Sequence, residues 1–134
     1  MSHPVLEREA DELLALLSGI DPAPAHQGLI HGDFQLENLV WRDERIGILD
    51  FGSASRHWWA ADIAFALADT AVDGQSLAGQ PAAQGFLEGY HRHWSLDEGV
   101  LTHLDTFLRC HRYGQAAGIA RALDLDAGEP TPAG

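Results

Sequence analysis

A chain of 134 residues fits a single domain, and its 46% hydrophobic content, with four Trp and five Phe, is enough to bury a core, which excludes an intrinsically disordered segment. A formal net charge of -12 argues against nucleic acid and anionic membrane surfaces as partners, because both repel such a chain at long range, and it leaves cationic small molecules admissible. The single cysteine, Cys110, excludes an internal disulfide; no apolar run is long enough to span a bilayer, and residues 1–20 carry acids in place of a cationic leader, so a soluble, cytoplasmic protein is expected.

At the N-terminus Leu6, Ala10, Leu13, Leu14 and Leu17 fall at helical spacing, with Glu7, Glu9, Asp11 and Glu12 opposite and Gly19 beyond, which predicts a helix over 4–18. The Pro-interrupted stretch 21–25 is a connection. Gly28–His31 and Leu39–Trp41 read as short strands around a polar loop; Arg42–Arg45 has turn character before Ile46–Leu49, so 39–49 is predicted as a hairpin that ends at Asp50. From there the period turns helical. Trp59, Ile63, Ala66 and Leu67 share one face, and Phe86, Leu87, Tyr90 and Trp94 share another, with a Gly- and Gln-rich loop expected over Val72–Gly85. Ser95-Leu-Asp-Glu98 fits a capping box that opens a helix with Leu101, Leu104 and Leu108 on its apolar side, running on toward Leu123. Gly114 and Gly118 either permit close packing there or break the helix, and Asp126–Gly134 should fray. The expected architecture is α+β and mainly helical, a domain over 1–124 with a flexible tail over 125–134.

The chemistry concentrates in His31-Gly-Asp-Phe-Gln-Leu-Glu-Asn38 and Ile48-Leu-Asp-Phe-Gly52. Asp33 and Asn38 share one loop, and a hairpin returning to its origin would bring Asp50 to the same edge. Carboxylate and amide oxygens are what phosphoryl transfer uses, one carboxylate to receive the acceptor's proton and further hard oxygens for magnesium. Taken alone, Asp-x-x-x-x-Asn also suits an ordinary turn, since both side chains cap local backbone groups. His91, His93, His103 and His111 read as solvated or half-buried side chains, Trp58-Trp59 as core or interface, and Cys110 as a buried small side chain.

The combined pattern, H-G-D-x-x-x-x-N, a hydrophobic strand and D-F-G, resembles the catalytic and metal loops of aminoglycoside phosphotransferases and choline-kinase-like enzymes. Gly32 stands where protein kinases carry Arg, which favours the small-molecule branch. The resemblance implies the C-terminal lobe of the protein-kinase-like fold, with a small hairpin carrying both loops. It implies Asp33 as catalytic base, Asn38 and Asp50 as magnesium ligands, His31 as a loop support, and Asp62, within Trp59-Ala-Ala-Asp-Ile-Ala64, as a brace; a helix N-cap role for Asp62 is compatible with this. Mg2+ and ATP (or GTP) are the implied cofactors, and the implied substrate is a small-molecule hydroxyl acceptor, a cationic one being admissible. Phe86-Leu-Glu-Gly-Tyr90 resembles the family helices that help to form the acceptor site, and Glu88, Asp97, Glu98 and Asp105 would suit either a cationic substrate or a solvated face.

Such enzymes also place a Gly-rich loop and a strand lysine over the nucleotide phosphates. All eight cationic side chains here are Arg, and the 30 residues before His31 are too few for a five-stranded lobe. The ATP-binding lobe is therefore expected to be absent, which leaves apolar surface bare and favours a homo-oligomer or a complementing lobe. Phosphotransferase activity of the chain alone should be weak or nil. The competing readings are a non-catalytic binding or regulatory module and a truncated kinase fragment held together by dimerisation.

Overall fold

The computed structural model describes residues 3–128. Helix α1 (Pro4–Ser18) has Pro in its first turn, where the missing N–H is no loss, and buries Leu13. A 3-10 turn over Pro24–His26 leads into β1 (Gln27–Ile30), one residue earlier than the expected strand, so His31 belongs to the loop that follows. β1 pairs antiparallel with β4 (Ser55–Trp58), from Gln27 opposite Trp58 to Ile30 opposite Ser55. The sequence contains no alternation signal for β4; its strand character comes from β1, a partner far away in the chain. The predicted hairpin is present as β2 (Leu39–Arg42) and β3 (Arg45–Ile48), Leu39 facing Ile48 and Arg42 facing Arg45.

Helix α2 (Trp59–Leu67) is the centre of the core. Ala60, Ala61 and Ala64 have no exposure and Ile63 almost none, because small side chains let β1, β4 and the long helix α5 (Leu104–Gly128) close around it. Phe107 of α5, fully buried, meets the ring of Trp58 at 5.7 Å, so Trp58 is core as expected.

Four expectations for the helical half need correction. The loop over Val72–Gly85 extends only to Gln80, because Pro81 starts α3 (Pro81–His91). Gln80 is buried and fastens that loop, its Oε1 accepting from the Val72 N–H at 2.9 Å and its Nε2 donating to the Val72 and Gln75 carbonyls. The Ser95 capping box does not form; Asp97 caps α4 (Glu98–Leu101) by accepting the Gly99 N–H at 2.8 Å, and the chain breaks at Thr102 and His103 before α5. Trp94 lies beyond the end of α3, yet it packs edge-on against Trp59 at 5.1 Å. Gly114 and Gly118 neither break α5 nor admit a close neighbour, since a Cβ at either would meet open space. α5 continues through Gly128, and the rest of the expected fray, 129–134, lies outside the described residues. Among the described residues no helix is long and apolar enough to cross a membrane.

α1 is oriented on α5 by Arg109, which donates to both oxygens of Glu9 (3.0 and 2.9 Å) and to Glu12 (3.0 Å). The hydrogen bond from Arg109 holds the Glu9 carboxyl below its usual pKa. Cys110, next on the same helix, is half-buried, and burial pushes its thiol pKa up.

Two imidazoles are held toward the neutral form by the core. Burial lowers the pKa of His57, against the opposing charge of Asp62, and lowers that of His111, against Asp69 and Asp33. An unfolded chain protonates these rings near 6.5 while the fold resists, so their contribution is fully present above that pH and is lost as pH falls below it. Thermal unfolding followed by circular dichroism should therefore show a melting temperature that declines as pH is lowered below 6.5. The decline should be shallower in His57→Phe, which keeps the ring and removes one titrating group.

Candidate functional site

The loop between β1 and β2 is held from beneath by one carboxylate. Asp62, in the first turn of α2, accepts the His31 N–H at 3.2 Å and the Gly32 N–H at 3.0 Å, one on each oxygen. Gly32 takes φ +84, and a Cβ there would lie 2.4 Å from the Ser53 carbonyl oxygen, so both the conformation and the space require glycine. His31 is buried. The Asp33 N–H donates to its Nδ1 at 3.1 Å, which puts the ring proton on Nε2, and Nε2 meets the Leu49 carbonyl at 2.8 Å. That ring also packs against Phe51 at 4.7 Å. His31 thus ties the loop to the end of β3.

Two of the polar residues that the sequence singles out, Asp33 and Asn38, are in contact. Asn38 Nδ2 donates to the Asp33 carbonyl at 2.8 Å and to Asp33 Oδ2 at 3.0 Å, which fixes the carboxylate and leaves Asn38 Oδ1 as a free acceptor. The Leu49 N–H donates to the Asn38 carbonyl at 2.8 Å, which extends the hairpin pairing by one residue and makes Asp50 the next residue after that pair. Asp50 takes φ 57, a left-handed conformation that Asp tolerates; its side chain is exposed and its Oδ1 accepts the Gly52 N–H at 3.2 Å. Among the described residues no Arg pairs with Asp33, Asp50 or Asp62. Negative charge is left uncompensated at this corner, and it is offered through hard oxygens.

Beside the loop lies a cavity of about 240 Å³ lined by Phe34, Trp59, Asp62, Ile63, Phe86 and Tyr90. Its walls come from the residue after Asp33, from one face of α2 and from α3. The acidic residues considered for a cationic substrate do not line it: Glu88 pairs with Arg92, Asp97 caps α4, Asp105 accepts the Leu77 N–H at 2.8 Å, and Glu98 is exposed.

A family model described as "Phosphotransferase enzyme family" matches residues 2–99, well over half of the chain. The chain belongs to the phosphotransferase enzyme family. Its relatives include the homoserine kinase of Rhodopseudomonas palustris (strain ATCC BAA-98 / CGA009), 35% identical over 89 residues, which are 66% of this chain and 27% of that protein. Among solved structures it resembles an amicoumacin kinase in complex with AMP-PNP, Ca2+ and Ami, with a TM-score of 0.66, 25% identity, and coverage of 78% of this chain and 33% of that one. This phosphotransferase chain therefore spans about a quarter to a third of the length of these relatives. The protein-kinase-like relationship read from the two loops is the one the comparisons give, on a mainly helical α+β architecture with two small antiparallel sheets.

Sequence reasoning missed three parts of the site. Phe34 and Trp59 line the cavity, and Trp59 differs in this from its core neighbour Trp58; the signal available was only the position of Phe34 next to Asp33. Gly28 gives the Trp59 indole its place, since a Cβ there would come within 2.5 Å of Nε1. The third is the Ser53 carbonyl, a backbone atom that no side-chain pattern reveals. One substitution at two positions checks this geometry. Gly32→Ala should destabilise the chain by at least about 1–2 kcal/mol through the left-handed backbone alone. Gly114→Ala, in an open helical position, should stabilise it by about 0.5–1 kcal/mol. Chemical denaturation of the two variants beside the parent measures both.

Proposed function

We propose that this chain carries the phosphoryl-transfer site of an ATP-dependent small-molecule kinase, with Asp33 as the catalytic base and Asn38 and Asp50 as the magnesium-binding pair. The observation that carries this reading is the Asp33–Asn38 contact at 3.0 Å, at the end of the hairpin that Asp50 follows. Asn38 spends its amide N–H on Asp33, so one residue holds the base and still has an oxygen to offer. Asp33 then receives the proton of the acceptor hydroxyl as that oxygen attacks the γ-phosphorus and the bond to the β-phosphate oxygen breaks, releasing ADP.

The donor set fits magnesium: Asn38 and Asp50 offer hard oxygens, and among the described residues no group of three or more His, Cys, Asp or Glu could hold a metal by itself, as suits an ion that takes its remaining ligands from water and phosphate. Held by Asn38 Oδ1 and Asp50, magnesium supplies positive charge to the phosphate oxygens. His31 and Asp62 keep the loop in shape and move no proton. The solved relative's complex with AMP-PNP and Ca2+ supports nucleotide and metal use by this chain as well. The acceptor hydroxyl reaches Asp33 from the cavity walled by Phe34, Trp59, Phe86 and Tyr90.

The groups that grip the nucleotide's distal phosphates come from outside these 134 residues, which contain no lysine. An apolar face suits their docking: Leu36, Trp41 and Phe51, at 84%, 68% and 60% exposure, lie on the loop and hairpin that carry Asn38 and Asp50. Without that covering element transfer is slow, because positioning and charge stabilisation supply most of this catalysis. The expectation of a C-terminal catalytic lobe, and of a second copy or complementing lobe across this face, is part of the proposal.

Calorimetric titration with ATP tests it. Binding should require magnesium, weaken by about tenfold or more, some 1.4 kcal/mol, in Asp50→Ala, and persist in Asp33→Asn, which changes the base and spares the metal pair. Equal affinity in Asp50→Ala and the parent would overturn the assignment.

A further inference from the structure

We infer that a second cavity, lying between α1, β4 and α5, binds a compact, neutral and largely apolar molecule through one hydrogen-bond acceptor, such as a carbonyl oxygen. This cavity shares no lining residue with the one beside the loop, and the inference does not depend on the phosphoryl-transfer reading.

Volume and lining set the class of ligand. The cavity measures about 370 Å³, within the range of about 300–1,000 Å³ typical of small-molecule sites. Leu13, Leu14 and Leu17 line it from α1, Cys110 and Tyr113 from α5, and His57 from β4. Among the described residues no Asp, Glu or Arg belongs to the lining. Arg109, the neighbour of Cys110 in the chain, is committed to Glu9 and Glu12. Burial pushes the Cys110 thiol pKa up, so the sulfur stays protonated and adds no charge. A charged ligand would lose its hydration here and meet no counter-ion.

His57 supplies the polar contact. Its Nδ1 accepts the Trp58 N–H at 2.9 Å, which puts the ring proton on Nε2. Phe65 and Phe107 stand edge-on to the imidazole at 5.8 and 5.9 Å and fix its orientation. Among the described residues Nε2 has no hydrogen-bond partner; unlike His26 Nδ1 and His111 Nε2, which are unpartnered and fully enclosed, it stays accessible. Because His57 lines the cavity, a ligand inside can reach that N–H. Burial holds the ring toward its neutral form, so it enters as a donor and not as a cation. Water is a poor occupant, since it needs about two to four polar partners and most of this wall is aliphatic. An apolar molecule with one acceptor covers the leucines and satisfies the donor.

Titration of the unmodified chain by nuclear magnetic resonance tests this with three probes of one shape: acetophenone, its carbon isostere α-methylstyrene, and benzoate. Signals of His57 and Cys110 report the site. Acetophenone should bind at least about tenfold more tightly than benzoate, which brings a charge. Acetophenone should also move the Nε2 resonance of His57, as a donated hydrogen bond does, while α-methylstyrene leaves that nitrogen nearly unchanged. In His57→Phe, acetophenone should weaken about three- to tenfold and α-methylstyrene should stay within about twofold. Ala10→Trp fills the cavity from α1 with His57 in place and should weaken both. The comparisons on the parent chain decide the matter even where a variant fails to fold. Benzoate binding as tightly as acetophenone, equal Nε2 responses to ketone and alkene, equal loss of both in His57→Phe, full affinity in Ala10→Trp, or no binding by any probe would each overturn the inference.

Discussion

Asp62 satisfies two backbone N–H groups at once, those of His31 and Gly32, and the rest of the site is arranged around that clamp. Its carboxylate belongs to α2, the helix with the most deeply buried residues, so a loop that would otherwise follow the solvent is referenced to the core. The peptide groups can only be presented this way if Gly32 adopts a left-handed conformation against Ser53. With the loop fixed, the ring of His31 is delivered to the Leu49 carbonyl and the second loop is registered to the first. Asp33 and Asn38 meet, and Asp50 follows directly on the residue bonded to Asn38, because two strands and one helix each hold a neighbour of theirs.

The same construction explains the imbalance of the surface. Among the described residues no Arg pairs with Asp33, Asp50 or Asp62, and apolar side chains on the same loop and hairpin, Leu36, Trp41 and Phe51, remain in water. Both features are unfavourable in isolation, and under the proposed function both would be relieved by the same event, the approach of a covering element and a nucleotide with its cation. The cavity beside the loop is different. Its aromatic walls are already packed, Trp59 against Trp94 and Phe86 near Tyr90, so that half of the site is preformed.

How much was legible in the sequence follows from which interactions are local. α1 and the β2–β3 hairpin depend on near neighbours and on periodicity, and both stand close to where the pattern places them. The two loops were legible because their chemistry needs particular residue types at a spacing that a short hairpin enforces. β4 was not legible, since Ser55–Trp58 becomes a strand only by pairing with β1. The start of α3 was hidden by a Gly- and Gln-rich composition that signals a loop, although Pro81 marked the boundary. Ser95 satisfied a capping pattern, but Asp97 stood nearer the free amides and took the role. The cavity was invisible for a related reason: Phe34, Trp59, Phe86 and Tyr90 come from three separate elements, and packing alone brings them together.

Amide hydrogen exchange at His31 and Gly32 tests the central claim most directly, because the account makes these two N–H groups extensions of the core. They should exchange as slowly as the buried amides of α2 around Ala64, and replacing Asp62 by Ala should release both to the rate of an exposed loop. Rapid exchange of His31 and Gly32 in the parent chain, at the rate of an open turn such as Gly74, would contradict it.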